Sequence, residues 1–226
     1  MNRFLDNSNS LKLPIIVGIS GASGTIYGIR LLQFLLENDY KVELVISKSA
    51  LKVALNETNL NLSDNPEILK EQVLSSFSSK NKQLSPHLLN VWAHDDITAS
   101  ISSGSYRTLG MVVIPASMGT ISAIACGTSD NLLTRAADVC LKERRKLVLV
   151  PRELPFNTIH LENLLKLSKV GAIIAPACPA FYNRPKDLTD STDFVVGKVL
   201  DLFGIENSLF YRWRESTLSK LPISNF

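Results

Sequence analysis

Five short runs of this chain, Ile15–Ile19, Val42–Ile46, Met111–Ile114, Leu147–Val150 and Ala172–Ala175, are rich in Val and Ile and apolar on both parities. A strand with one solvated face alternates apolar and polar residues, so runs of this kind predict strands buried on both faces. A further strand is expected around Val91-Trp92. Segments of helical periodicity lie between them: Ile26–Glu37, Pro66–Ser78, Asn131–Arg145, His160–Lys169 and Thr192–Phe203. Strand–helix alternation with doubly buried strands predicts an α/β fold, a single-domain, doubly wound parallel sheet with helices on both faces. The 226 residues suffice for one such domain and are too few for two comfortable ones. No internal repeat or linker divides them. The least regular stretches are Asn56–Asn65 and Ala93–Tyr106, and the latter, with Ser102-Ser103-Gly104-Ser105, reads as a mobile loop.

Composition excludes several classes. The formal net charge is only +3 and its residues are scattered. The densest basic run, Lys142-Glu143-Arg144-Arg145-Lys146, reads as a solvated helix end, where the dipole favours cations. Aromatics do not alternate with basic residues, so no nucleic-acid surface is expected. No apolar run reaches the length of a membrane span. Cys126, Cys140 and Cys178 are odd in number and lack metal-ligand spacing, which predicts reduced thiols in a cytoplasmic protein. Residues 1–13 are polar, without the apolar stretch of a signal peptide, and read as a disordered N-terminal arm.

In open α/β sheets the ligand lies beyond the carboxyl ends of the strands. After the first strand comes Gly18-Ile19-Ser20-Gly21-Ala22-Ser23-Gly24-Thr25, then a helix. Small residues let the backbone approach a ligand, and free amides at the helix start favour an anion, typically phosphate. The spacing is neither a Walker loop nor the usual dinucleotide fingerprint. Ser47-Lys48 follows the second strand, and Pro115-Ala116-Ser117-Met118-Gly119-Thr120 follows the strand ending at Ile114. Either serine alone would be an ordinary N-cap. Three small, hydroxylated strand ends at one sheet edge point instead to a nucleotide or flavin site. Pro151-Arg152-Glu153-Leu154-Pro155 and Pro176-Ala177-Cys178-Pro179-Ala180-Phe181-Tyr182 are proline-stiffened loops holding Arg152, Glu153 and Tyr182. Arg135, Asp138 and Lys142 fall on one helical stripe, which an ion-pair ladder would also explain.

Several blocks, in this order, resemble the UbiX-type flavin prenyltransferase family. They are Gly18–Gly24 with Tyr27-Gly28, Pro115–Thr120, Leu133–Asp138 with Lys142–Arg145, Val150–Glu153, and Pro179–Tyr182 with Arg184-Pro185. The similarity spans residues 14–213, leaving 214–226 as a C-terminal tail. The resemblance implies a flavodoxin-like or Rossmann-like three-layer homo-oligomer, a dodecamer in the family, with active sites at subunit junctions. It implies FMN binding by Gly21, Ala22, Ser23, Ser47, Ser117, Met118, Gly119, Thr120 and Arg152. It assigns the isoprenyl phosphate to Tyr182 and to the position of Lys198. The charge developing on that phosphate calls for further cations, for which Lys142 and Arg152 are the candidates. Lys198 stands where some members have arginine, which keeps the charge without the bidentate fork. Gly119 stands where some members have lysine.

The reaction so implied joins the dimethylallyl group of dimethylallyl phosphate to N5 and C6 of reduced FMN, with phosphate leaving. Ser23, Glu57, Lys142 and Glu153 are the expected catalytic residues, and the cations supply charge without a metal. The prenylated FMN would pass to a UbiD-type decarboxylase. Two alternatives share parts of this pattern. A flavin-dependent decarboxylase of cysteine-derived carboxylates typically has Asn after the Pro-Ala-Ser segment and an early histidine. Here Met118 and Gly119 follow Ser117, and the histidines are His87, His94 and His160. A non-catalytic flavin carrier would need the FMN loops but not Lys142, Arg152, Glu153 and Tyr182 together.

Overall fold

The computed structural model describes residues 13–58, 60–78 and 83–212. The arm expected over residues 1–13 falls outside them except for Leu13, and the tail 214–226 falls outside them altogether. Six parallel strands form one sheet: β1 (Ile15–Ile19), β2 (Val42–Ile46), β3 (Leu89–Trp92), β4 (Gly110–Ala116), β5 (Lys146–Pro151) and β6 (Ile173–Ile174). Their order is β3-β2-β1-β4-β5-β6. From the central pair the chain winds outwards first to one side and then to the other. This is the Rossmann order, one of the two doubly wound arrangements implied by the resemblance.

The helices are α1 (Thr25–Glu37), α2 (Lys48–Thr58), α3 (Pro66–Phe77), α4 (Met118–Ala125), α5 (Leu132–Lys142), α6 (Thr158–Lys169) and α7 (Leu188–Phe203). On one sheet face Ile16, Met111, Val113, Leu147 and Leu149 pack with residues of α4, α5 and α6. The opposite parity, including Ile15, Val17, Leu44, Val112 and Val148, is equally buried, as are Leu31, Leu32, Leu35 and Leu36 of α1. Burial on both parities is thus satisfied by helices on both faces. Small residues let α5 lie close, with Ala136, Ala137 and Cys140 fully covered. Burial pushes the Cys140 thiol up to about 12, so it serves as packing.

Contacts divide the described residues into two compact units, one ending at Cys178 and one beginning at Pro179. The first holds the sheet with α1–α6. The second holds a short 3₁₀ turn, Phe181–Asn183, and α7.

Three local expectations change. α2 runs through Asn56-Glu57-Thr58, placed among irregular residues; only Ala50 and Ala54 of this helix are buried, so its apolar stripe is thin. α5 stops at Lys142, short of Arg145, because the chain turns through Arg144 at φ 54° before β5. The Ala93–Tyr106 segment is pinned at many points. Ala99 and Ile101 are buried, and Arg145 donates to the carbonyls of Tyr106 (2.6 Å) and Gly104. Arg135 Nε donates to Ser102 O (3.1 Å). The Tyr106 hydroxyl donates to Glu43 Oε1 at 2.6 Å. Arg145 is therefore a structural clasp as well as a member of the basic run.

Candidate functional site

β1 and β4 are neighbours from which the sheet is wound in opposite directions, so their carboxyl ends flank the crevice where such sheets take ligands. Ser20, just past β1, ties the two ends together. Its amide donates to Pro115 O (3.2 Å) and its hydroxyl to the same oxygen (3.0 Å). The hydroxyl also accepts from Ser117 N at 2.7 Å. Ser20 is fully buried. It was absent from the expected site residues, although it stands directly after a strand as Ser47 and Ser117 do. Its role is to hold the two ligand-facing loops in register.

The helix that follows the glycine loop meets an anion of the chain's own. α1 has no side-chain cap from Gly24, which sits at φ 98°, a conformation glycine adopts without steric cost. Instead Gly24 N donates to Glu57 Oε1 (3.1 Å) and Oε2 (2.9 Å), and Thr25 N donates to Oε2 (3.0 Å). The expectation of phosphate at this helix start is corrected accordingly: the Glu57 carboxylate of α2 fills it. Desolvation pushes the Glu57 carboxyl up, but hydrogen bonds from the Ser23 side chain and the Gly24 and Thr25 amides, with the Arg152 charge, outweigh it. Its pKa lies below the usual glutamate value. Arg152 Nε donates to Ser23 O at 2.9 Å, so Ser23, Glu57 and Arg152 form one connected group. Tyr27 lies beside it; burial, then Cys178, raise its phenol above the usual range against the Arg152 charge.

Two other helix starts open at the same edge. Ser47 Oγ accepts from Ala50 N (3.1 Å) at the start of α2, and Ser117 Oγ accepts from Thr120 N (3.2 Å) at the start of α4. Both serines are N-caps, as the ordinary reading allowed, yet each leaves earlier first-turn amides that the helix cannot satisfy: Lys48 and Ser49 at α2, Met118 and Gly119 at α4. A Cβ built on Gly119 meets nothing within 4 Å, so the α4 start faces open space. A Cβ on Gly21 would collide with Ser49, which keeps that loop low against α2. Hydroxyls, orphan amides and one guanidinium around an open edge suit a flavin carrying a phosphate.

A profile of the flavoprotein family matches residues 4–200. Flavin prenyltransferase UbiX of Alkalihalophilus pseudofirmus is 50% identical over 208 residues, 92% of this chain and all of that one. The structure of AnUbiX (PadA1) in complex with FMN and dimethylallyl pyrophosphate superposes with a TM-score of 0.78 at 38% identity, covering 91% of this chain and 99% of that one. A dodecameric FMN-dependent UbiX-like decarboxylase from Escherichia coli O157:H7 gives 0.77 at 43% identity, covering 89% and 100%. The chain belongs to the UbiX flavin prenyltransferase family.

Of the residues that the UbiX resemblance singles out, one chain gathers Gly21, Ala22, Ser23, Ser47, Glu57, Ser117–Thr120 and Arg152 at the carboxyl edge of the sheet. Glu153 follows there, its carboxyl accepting from Leu154 N at 3.1 Å. Lys142 is not with them. It ends α5 four residues before β5 begins, while Arg152 lies just past the carboxyl end of β5. At about 3.3 Å per residue the strand separates them by roughly 20 Å. Lys142 pairs with Glu143 and lies against Gly104 of the serine-rich loop. The ion-pair ladder is half present: Arg135 Nη1 meets Asp138 Oδ2 at 2.9 Å, whereas Lys142 turns elsewhere. Tyr182 and Lys198 belong to the unit beginning at Pro179. There Tyr182 stacks edge-on against Phe194 (6.0 Å), and Lys198 Nζ approaches Asp201 Oδ2 at 4.0 Å.

Proposed function

We propose that this chain joins the dimethylallyl group of dimethylallyl phosphate to N5 and C6 of reduced FMN. The observation that carries the reading is the connected Ser23–Glu57–Arg152 group beside two open helix starts, in a chain half identical to a flavin prenyltransferase. Reduced FMN, when bound, supplies the nucleophilic N5 and C6. Ser47, the Ser117–Thr120 turn and the Gly21-Ala22-Ser23 backbone hold it, and Arg152 adds a charge. Because Glu57 already takes the Gly24 and Thr25 amides of α1, the first-turn amides at α2 and α4 are better placed to hold a phosphate. Glu57 holds the Ser23 hydroxyl in place, and with Glu153 these groups position or move protons near the reacting atoms. Arg152, Lys142, Lys198 and Tyr182 meet the charge that develops on the departing phosphate.

We extend the reading to a homo-oligomer, a dodecamer like the Escherichia coli relative, in which a neighbouring copy supplies Lys142. The product passes to a UbiD-type decarboxylase in the cytoplasm. Among the described residues no helix is long and apolar enough to cross a membrane. In this reading Arg152, Lys142 and Lys198 supply the charge in place of a metal. Of the acid pair Asp95-Asp96, Asp95 lies 3.9 Å from the exposed Lys48 and Asp96 accepts from the amide and hydroxyl of Thr98. The test is anaerobic incubation with reduced FMN and dimethylallyl phosphate, with and without excess EDTA, followed by the mass of the extracted flavin. A prenylated mass in both arms supports the proposal. An unchanged flavin mass overturns the activity, and loss of product with EDTA that Mg²⁺ restores overturns the metal-free mechanism.

A further inference from the structure

In the C-terminal unit, Phe194, Lys198 and Asp201 occupy one stripe of α7, four and three residues apart. The Asp201 carboxyl accepts from Arg212 through both oxygens, Nη1 to Oδ2 at 2.9 Å and Nη2 to Oδ1 at 2.6 Å. Asn207 Nδ2 adds a third bond to Oδ1 at 3.0 Å. Lys198 reaches the same carboxylate only at the outer limit of an ion pair, 4.0 Å, and its side chain is 57% exposed against 32% for Arg212 and 23% for Asp201. The guanidinium is seated over the Phe210 ring at 5.0 Å. Phe210 in turn packs against Gly197, where a Cβ would come within 2.7 Å of its ring carbon Cε1 and 2.8 Å of Asn207 Oδ1. Phe210 also meets Phe194 (5.1 Å), which meets Tyr182 (6.0 Å). The segment carrying Arg212 is thus packed on the helix face that carries Lys198.

We propose that Arg212 is a positioning residue for substrate: by holding Asp201 in a bidentate pair, it frees Lys198 to bind the prenyl phosphate. The proposal rests on the reading of Lys198 as a phosphate contact. The planar fork of arginine matches a carboxylate, while the ammonium of lysine is a compact, mobile charge, so the two cations divide the work by their geometry. Two cations share one carboxylate, and the surplus positive charge falls on the exposed Lys198. Without Arg212, the Asp201 charge would capture Lys198 at i,i+3 spacing and repel an incoming phosphate. The Asp201 carboxyl is held below the usual aspartate range, first by the Arg212 hydrogen bonds against desolvation, then by Asn207 and Lys198. This also explains how a lysine serves where some relatives have arginine: a second arginine here would compete for the same carboxylate.

The test measures KM for dimethylallyl phosphate and the Kd for FMN in Arg212→Met, Asp201→Asn, the double variant and Lys198→Ala. Arg212→Met is expected to raise KM about tenfold, equivalent to ~1.4 kcal/mol, with FMN affinity unchanged. Asp201→Asn should leave KM equal or lower, and adding it to Arg212→Met should return KM to within about threefold of the parent, since the repelling charge is gone. A raised KM that Asp201→Asn does not relieve, or an unchanged KM in Arg212→Met, overturns the proposal. Where Arg212→Met does not fold, Asp201→Asn alone decides, because a higher KM in that variant is the opposite of what is expected. Lys198→Ala separates the two layers. A raised KM there with no response to Arg212 removes only the tuning, whereas an unchanged KM removes the phosphate contact and the proposal with it.

Discussion

At the first turn of α1 the amides of Gly24 and Thr25 face a carboxylate that lies 33 and 32 residues further along the chain. The consequence is a helix cap that titrates. The folded-state pKa of Glu57 is depressed, so its contribution is fully present above the unfolded carboxylate pKa and is lost as pH falls through the folded one. Glu57→Gln removes the charge and one of the two accepting oxygens. Glu57 is exposed, so the expected cost at neutral pH is small, about 0.5–1 kcal/mol on the scale of a lost N-cap. Thermal unfolding of both proteins across the acid range reads the effect. The parent should lose its advantage at acid pH and the two melting temperatures should converge; a constant gap would show that the charge plays no part. The sequence made Ser47 and Ser117 legible, because an N-cap is a local signal. It left Ser20 and the capping role of Glu57 hidden, because their partners lie some tens of residues away or more, and only the strand order brings them together.

Strand β2 carries the least expected residue of any element. Glu43, 2% exposed, accepts from Asn90 Nδ2 (3.1 Å), Trp92 Nε1 (2.6 Å) and the Tyr106 hydroxyl (2.6 Å). These bonds join β2 to β3 and to the loop that returns to β4. Burial, then the Glu43 hydrogen bond and charge, hold the Tyr106 phenol well above its usual range. Glu43→Ala strands the half-buried donors of Trp92 and Tyr106, at about 1–3 kcal/mol for an unsatisfied group, while water can take over the exposed Asn90. Denaturant titration should show that loss, and hydrogen exchange should quicken at Ser102–Tyr106. Unaltered exchange there would mean the Arg145 clasp alone orders the loop. The apolar runs announced β1, β2, β4 and β5, whose burial on both faces leaves its mark on composition, and also the site of the short edge strand β6. The other edge strand, β3, with exposed Asn90, showed only as a Val91-Trp92 pair. The loop read as mobile because serine and glycine dominate it, while the groups that pin it, Glu43, Arg135 and Arg145, belong to other elements. α2 escaped for the opposite reason, with only two alanines buried along its length.

At the scale of the whole molecule, one chain does not bring together all the groups proposed to meet the departing phosphate. Lys142 and Arg152 stand at opposite ends of β5, roughly 20 Å apart by strand geometry. Neither end of a six-residue strand in the middle of a buried sheet can shift by that distance without unfolding it. If both residues act on one phosphate, they come from different copies, and closed symmetry makes such junctions equivalent around the assembly. The expectation can be tested by complementation. Lys142→Ala and Arg152→Ala, each purified alone, should lack prenyl transfer because every site misses one cation. When the two are co-expressed and assemble at random, a junction is intact only where an Arg152 from a Lys142→Ala chain meets a Lys142 from an Arg152→Ala chain. That happens at about one junction in four, so activity should recover to roughly a quarter of the parent. Mixing the variants after separate assembly should recover nothing until subunits exchange. Co-expressed chains that remain as inactive as either variant would place both residues in one chain's service, or remove Lys142 from the reaction. Full recovery is impossible on this geometry, which makes the measured fraction itself the discriminating result.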